Sequence, residues 1–283
     1  MSLPFETDLI GGGSNFGIVS EFVFRIYPHG GKCYGGLAMF STDKVPQFVS
    51  EFHKFWKTLE ADSCCNFAIS ALPPTLQPSL VMIPFCDTGD EKAARKRFEG
   101  FFSLGAAVDH TSIHPYVDQN AVLNPIVPHG PRSYTKSFVY QVTSISTELL
   151  NYSIDKFTVY ISHLGEDYEV SAVIYEPFPP GKVSEIPMNG TACPLRDGII
   201  HCVLNVRWKN ESHDVWVAQW VRDFIKGARE ISGGSGGFGY ANMVLPGEKA
   251  AEAFGENYAK LREVKRKWDP EMRFTKWLPI PPA

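Results

Sequence analysis

The sequence predicts an α+β fold: a large antiparallel sheet with helices packed on one face. Three observations carry this. Short runs rich in β-branched and aromatic residues come in neighbouring pairs joined by turn residues, as hairpins do. Amphipathic helical patterns are interleaved between these pairs rather than following every strand, unlike the regular alternation of a parallel sheet. The 283 residues, 44% of them apolar and 13% aromatic, are enough for a sizeable core.

Residues 15–27 and 33–40 read as two strands. Val45, Phe48, Val49, Phe52, Phe55, Trp56 and Leu59 then recur at helical spacing. Residues 65–72 and 79–85 read as strands joined by a proline-rich turn, and Asp90 is placed to cap a helix carrying Ala94, Phe98, Phe101 and Phe102. Residues 106–114 form a further strand, 115–133 a loop, and 134–142 an extended run. A helix with Leu150, Ile154, Phe157, Ile161 and Leu164 on one side follows, then strands at 168–176 and 199–208 around a Pro/Gly-rich loop. Val217, Trp220, Val221, Phe224 and Ile225 mark another helix. After the glycine-rich turn at 233–237 come a short strand at 238–244 and a last helix with Tyr258, Leu261, Val264 and Trp268.

Charge narrows the function classes. With 27 basic against 31 acidic residues, the net charge of −4 lacks the basic excess of a nucleic-acid binder. No run of about 18 apolar residues occurs, so no membrane-spanning helix is expected. Six cysteines are too sparse for a disulfide scaffold, and with no C-x-x-C pair structural zinc and thioredoxin chemistry are not expected. The first residues show no basic stretch followed by an apolar run, so a cytoplasmic location is expected.

Few local motifs carry chemistry. Gly11-Gly12-Gly13-Ser14-Asn15-Phe16-Gly17 permits positive φ and close backbone approach to a ligand, but on spacing alone it reads first as a plain turn. It is neither a Walker loop nor a dinucleotide fingerprint. His110 and His114 are four apart, but in a strand or loop context that does not pair them on a metal. No G-x-S-x-G motif names a nucleophile. Alternation puts His201, Val203 and Asn205 on one face of the 199–208 strand and Cys202, Leu204 and Val206 on the other. The polar face reads as a pocket wall or as the solvent side of an edge strand.

Several stretches, in order along the chain, resemble one family, the flavin-linked oxidases of the berberine bridge enzyme type. Gly11-Gly12-Gly13-Ser14-Asn15-Phe16-Gly17-Ile18-Val19-Ser20-Glu21-Phe22 is similar to their G-G-G-x-N-F-G-I-V-T-x-F segment. Thr191-Ala192-Cys193-Pro194-Leu195-Arg196 resembles T-A-F-P-H-R, and Tyr240-Ala241-Asn242-Met243 resembles Y-x-N-Y. Gly255-Glu256-Asn257-Tyr258 through Asp269-Pro270 resembles their ending, G-x-N-Y-x-R-L-x-x-V-K-x-K-Y-D-P.

The resemblance implies the C-terminal, substrate-domain half of such an oxidase. Ten residues precede the triple glycine, so the family's FAD-binding domain is expected to be missing. It implies a junction segment at 1–27, a substrate-binding domain at 28–236 and a berberine-bridge-type segment at 237–283. No cofactor is firmly expected; FAD would bind if a flavin domain were supplied, against Gly12, Gly13, Asn15, Phe16, Gly17, Ile18 and Val19. The family's polar catalytic position falls on Leu204, or on Val203 if the register slips by one, and both are apolar. The expected activity is binding of a small hydrophobic or aromatic metabolite, with a flavin-independent cyclisation or isomerisation. His201, Tyr240 and Asn242 are the expected catalytic groups; Arg196, Asn205, Leu204 and Met243 are the expected substrate contacts. The alternatives are part of a conventional FAD-dependent oxidoreductase, and a non-catalytic binding or dimerisation module. The expected partners are the metabolite and either a second copy or a flavin-domain partner, with neither nucleic acid nor membrane.

Overall fold

Val45, Phe48, Val49, Phe52 and Phe55 return every three or four residues, and in the computed structural model Val45–Lys57 is a helix, α1, that buries all five. The structure describes residues 10–73, 75–124, 129–179, 181–196, 198–233, 240–244 and 248–283. Asp90 caps α2 (Glu91–Arg97) by accepting a hydrogen bond from the Ala93 amide. The single helix expected there breaks at Phe98, whose φ of −101° and ψ of 14° lie off the helical values, so Glu99–Phe102 is a separate short helix, α3. Ser146 caps α4 (Thr147–Leu164) on the Leu149 amide, and α5 spans Asp214–Ile231. Near the C-terminus α6 is Ala250–Phe254 and α7 is Tyr258–Trp268.

The strands, in chain order, are β1 (Lys32–Gly35), β2 (Ala38–Phe40), β3 (Ser63–Ser70), β4 (Ser79–Cys86), β5 (Val108–Asp109), β6 (Ser112–Pro115), β7 (Arg132–Gln141), β8 (Tyr168–Pro177) and β9 (Ile199–Trp208). They form one sheet in the order β5-β2-β4-β3-β8-β9-β7, with β1 joining β4 to β6. All described pairings are antiparallel. The predicted strand at 33–40 is cut in two at Gly36, whose φ of +124° no side-chain-bearing residue adopts easily. A Cβ there would lie 2.2 Å from the His110 carbonyl oxygen.

One face of the sheet carries the main core. Cys65, Phe67 and Ile69 of β3, Leu80 and Met82 of β4, Val173 and Tyr175 of β8 and the even-numbered residues of β9 meet α1, α4 and α5. The aromatic content is spent here: the Phe67 ring lies 5.0 Å from Tyr175, 5.4 Å from Phe48 and 5.2 Å from Phe52. A second, smaller core joins Phe16 and Ala192 to Val244, Ala253, Phe254, Leu261, Leu278 and Ile280.

That small core is tied by a buried clasp. Lys265 is fully buried, pairs with Asp269, and donates to the carbonyl oxygens of Asn15 and Phe274, each at 2.6 Å. The Asn15 amide donates to the carbonyls of Gly12 and Leu278, while its Oδ1 accepts from the Ile280 amide. The chain ends are thereby held together across more than 260 residues of sequence.

Two expected strands differ. Residues 17–30 make no ladder, and Ile18, Phe22, Val23, Phe24 and Ile26 are each at least 70% exposed. β-rich composition supplies the tendency to extend, but a strand also needs a neighbour to complete its hydrogen bonds, and this segment has none among the described residues. Of the short strand expected at 238–244, residues 238 and 239 lie outside the described residues, and Ala241–Met243 is a 3-10 turn.

Candidate functional site

The face of the sheet away from the helices is built by alternation. On β9, Ile200, Cys202, Leu204, Val206 and Trp208 enter the helix-side core, which turns His201, Val203, Asn205 and Arg207 to the other side. β8 presents Ala172, Ile174 and Glu176 on that same side, and β3 presents Cys64, Asn66, Ala68 and Ser70. Because β9 lies between β8 and the edge strand β7, its polar face belongs to an interior strand and is not the solvent side of an edge strand.

The register sorts these residues into rows. Glu176 lies opposite His201, Ile174 opposite Val203, and Ala172 opposite Asn205. The β3–β8 ladder ends at the Phe67–Tyr175 pair, and Asn66 and Glu176 are the next residues along their strands. The face therefore has an apolar middle and a polar end. An apolar pocket opens at the middle, with about 70 Å³ enclosed and about 540 Å³ of free space including its mouth. Ala68, Val81, Ile83, Ala172 and Ile174 form its walls, and Asn205 and Arg207 lie at one side.

At the polar end two aromatic rings flank His201, Phe178 at 5.5 Å and Tyr240 at 5.6 Å, both edge-on. The Tyr240 amide donates to Ser137 Oγ on β7, and its hydroxyl accepts from Asn242 Nδ2 at 2.9 Å. Burial pulls the His201 imidazole below its ordinary pKa and pushes the Glu176 carboxyl above its own. Burial, with the Glu176 charge nearby, lifts the Cys64 thiol to about 11, so it is not a thiolate nucleophile at neutral pH. Asn66 Oδ1 is buried and has no hydrogen-bond partner.

The structure brings His201 and Tyr240 together, with Asn242 behind the Tyr240 hydroxyl and Asn205 four residues along β9. It corrects two expectations. Leu204 is fully buried in the helix-side core, because an even-numbered residue of β9 faces the helices, so it contacts nothing on the open face. Arg196 directs its guanidinium at the Ile186 and Leu195 carbonyls and the Thr191 hydroxyl, so its charge holds a loop together. Met243 is half-buried beside this rim, its amide bonded to the Tyr240 carbonyl. Glu176, Asn66 and Phe178 were not expected. Each is an isolated residue in its own stretch; the cross-strand register sets Glu176 beside His201, the ring contact sets Phe178 there, and Asn66 lies on β3, one strand further on.

The expected flavin contacts are placed differently from one another. Gly12, Asn15 and Phe16 are buried, with Asn15 committed to the clasp and Phe16 to the small core. Gly13 has φ +65° and open space where a side chain would be, and Gly17, Ile18 and Val19 continue into the ladder-free segment. The pocket beside this loop, between Gly11, Cys193, Tyr240, Asn242 and Phe254, encloses about 40 Å³. The described residues thus offer one edge to a flavin and do not enclose one. Among the described residues no cluster of three metal-ligating side chains occurs, and no helix is long and apolar enough to cross a membrane.

Comparison with known proteins agrees with this architecture. Residues 239–281 match the family described as berberine and berberine like. The FAD-linked oxidoreductase pgmH of Aspergillus terreus is 25% identical over 96% of this chain and 59% of its own length. Berberine bridge enzyme from Eschscholzia californica superposes with a TM-score of 0.70 at 18% identity, over 96% of this chain and 60% of that one. GilR, an oxidoreductase crystallised with pregilvocarcin, superposes with a TM-score of 0.71 at 20% identity, over 95% of this chain and 62% of its own. This chain spans about 60% of the length of these relatives. The chain is similar to FAD-linked oxidoreductases over the part of them that it spans, and its residues 239–281 carry the berberine-like segment.

Proposed function

We propose that this chain supplies the substrate-binding face of an FAD-linked-oxidoreductase-type protein, and that the open face of the sheet receives a small, largely apolar or aromatic metabolite carrying an oxygen function. The observation behind this reading is that one sheet face carries both an apolar pocket and, beyond the Ile174–Val203 row, a polar, aromatic-flanked end. Successive rows on a strand face are about 7 Å apart. A bicyclic body over the Ile174–Val203 row therefore places its edge at His201.

The chain's own residues can bind, orient and desolvate such a ligand. Holding it in one folded conformation lowers the entropic barrier to a cyclisation or isomerisation. His201, kept neutral by burial, accepts a proton; Tyr240 and Asn242 orient the ligand's oxygen. No redox step is assigned to these residues. The test is binding of small aromatic ketones and phenols, followed by quenching of intrinsic fluorescence. Ala68→Phe, which fills the pocket from β3, should abolish binding and leave the far-UV circular dichroism unchanged. Undiminished binding to that variant would refute the placement.

A second reading has a specific observation behind it. The exposed apolar segment at 17–30 and the open edge at Gly13 fit a protein in which a flavin domain, elsewhere in a longer chain or on a partner, packs against this one. Visible flavin absorbance that co-purifies with the chain at about one equivalent would favour this reading.

A further inference from the structure

We infer that Glu176 and His201 form an acid–base couple that moves a proton on an enolisable carbonyl compound held on the open face. The inference rests on the reading of that face as a binding site and adds the chemistry. Four observations converge on it. Glu176 and His201 are direct cross-strand partners on β8 and β9, which puts their Cβ atoms about 5 Å apart. Both are half-buried and neither makes a side-chain hydrogen bond or ion pair among the described residues, so both remain available to a ligand. The His201 ring packs edge-on against both Phe178 and Tyr240, which limits how far it can swing. Asn66, the residue next to the last β3–β8 pair, ends in a buried oxygen that lacks a donor. A buried acceptor without a partner is costly, and a hydroxyl supplied by a ligand, or by Glu176 in its acid form, answers it.

The environments sort the roles. Burial favours the uncharged form of each group, so Glu176 tends to keep its proton and His201 tends to lack one. The other titratable groups close to Glu176 are Cys64 on the open face and Cys202 behind the sheet, both held as neutral thiols by burial. Tyr240 is the titratable neighbour of His201.

The proton balance closes without an oxidant. A His201 nitrogen takes the proton from the carbon next to the carbonyl; that C–H pair becomes the new C=C bond. The carbonyl π pair moves to oxygen, which takes the Glu176 proton, leaving an enol, a carboxylate and an imidazolium. The enol O–H then returns its proton to Glu176 as the imidazolium protonates the same carbon, or the far carbon of a conjugated system. The first outcome is exchange and the second is isomerisation. The substrate class is a ketone with an adjacent C–H and an apolar, ring-containing body.

The experiment measures deuterium uptake by 2-tetralone in D2O at neutral pD, with binding of the same ketone read from fluorescence. General acid–base catalysis predicts exchange at least about 100-fold above buffer. Glu176→Gln and His201→Gln should each lose at least tenfold, and the double variant no more than the worse single one, because the two groups act together. Binding should change less than threefold. Glu176→Asp should recover part of the rate, which a purely structural role would not produce. The wild-type rate should fall on either side of a pH maximum. Binding without exchange, or exchange equal in all variants, overturns the couple and leaves the binding face standing. Failure of 2-tetralone to bind overturns both.

Discussion

Phe67→Ala tests the layer assignment on which the site depends. Phe67 is fully buried and touches three rings, with Tyr175, Phe52 and Phe48 at 5.0, 5.2 and 5.4 Å. Truncating a core phenylalanine costs about 3–5 kcal/mol. Three ring contacts, each worth about 0.5–1.5 kcal/mol beyond burial, put this site in the upper half of that range. At about 2–4 °C per kcal/mol for a chain near this size, the melting temperature should fall by roughly 8–20 °C. Its neighbour Asn66 faces the other way, and its oxygen already lacks a partner, so Asn66→Ala should cost less than about 1 kcal/mol. Urea unfolding followed by circular dichroism measures both. A double-mutant cycle with Tyr175→Ala should return a coupling of about 0.5–1.5 kcal/mol. Equal costs for Phe67→Ala and Asn66→Ala would refute the alternation that places Glu176 and His201 on the open face.

Three further outcomes follow. Gly36→Ala forces a side chain into φ +124° and against the His110 carbonyl oxygen at 2.2 Å, so it should cost more than about 2 kcal/mol by the same unfolding assay. Burial would raise the Asp269 pKa, but hydrogen bonds from Lys265 and from the Phe274 and Arg273 amides outweigh it and hold the carboxyl at about 2. The unfolded value is about 3.9, so the unfolded chain binds more protons between the two, and stability is lost as pH falls from about 4 towards 2; Lys265→Met should blunt that loss and speed limited proteolysis near residue 15. Burial raises the Glu176 pKa, so the folded state holds its proton more tightly and that contribution disappears as pH rises through the folded value; Glu176→Gln should raise the melting temperature more at pH 8 than at pH 5.

Local patterns survive into the fold wherever one segment decides its own structure. The stripe at Val45–Phe55, the Asp90 cap and the alternation along 199–208 are of this kind, and the last fixed which side of β9 His201 and Asn205 share. What depends on a distant neighbour was not legible. The segment at 17–27 has strand composition and no ladder, and Glu176 sits next to His201 only through a pairing of strands with a long loop between them. Leu204 misled for a related reason: the resemblance placed a functional position there, and the pleat turns that side chain towards the helices. Arg196 was expected as a ligand contact from the resemblance of residues 191–196 to T-A-F-P-H-R, and three protein oxygens surround its guanidinium instead.

The Lys265 clasp has a practical consequence for anyone handling the protein. Asn15 reads the backbone of Leu278 and Ile280 directly, and Lys265 reads Asn15 in turn. Altering residues 278–280 is therefore an edit to the glycine loop at residues 11–15, far away in sequence, and to the Tyr240 rim that lines a pocket with it.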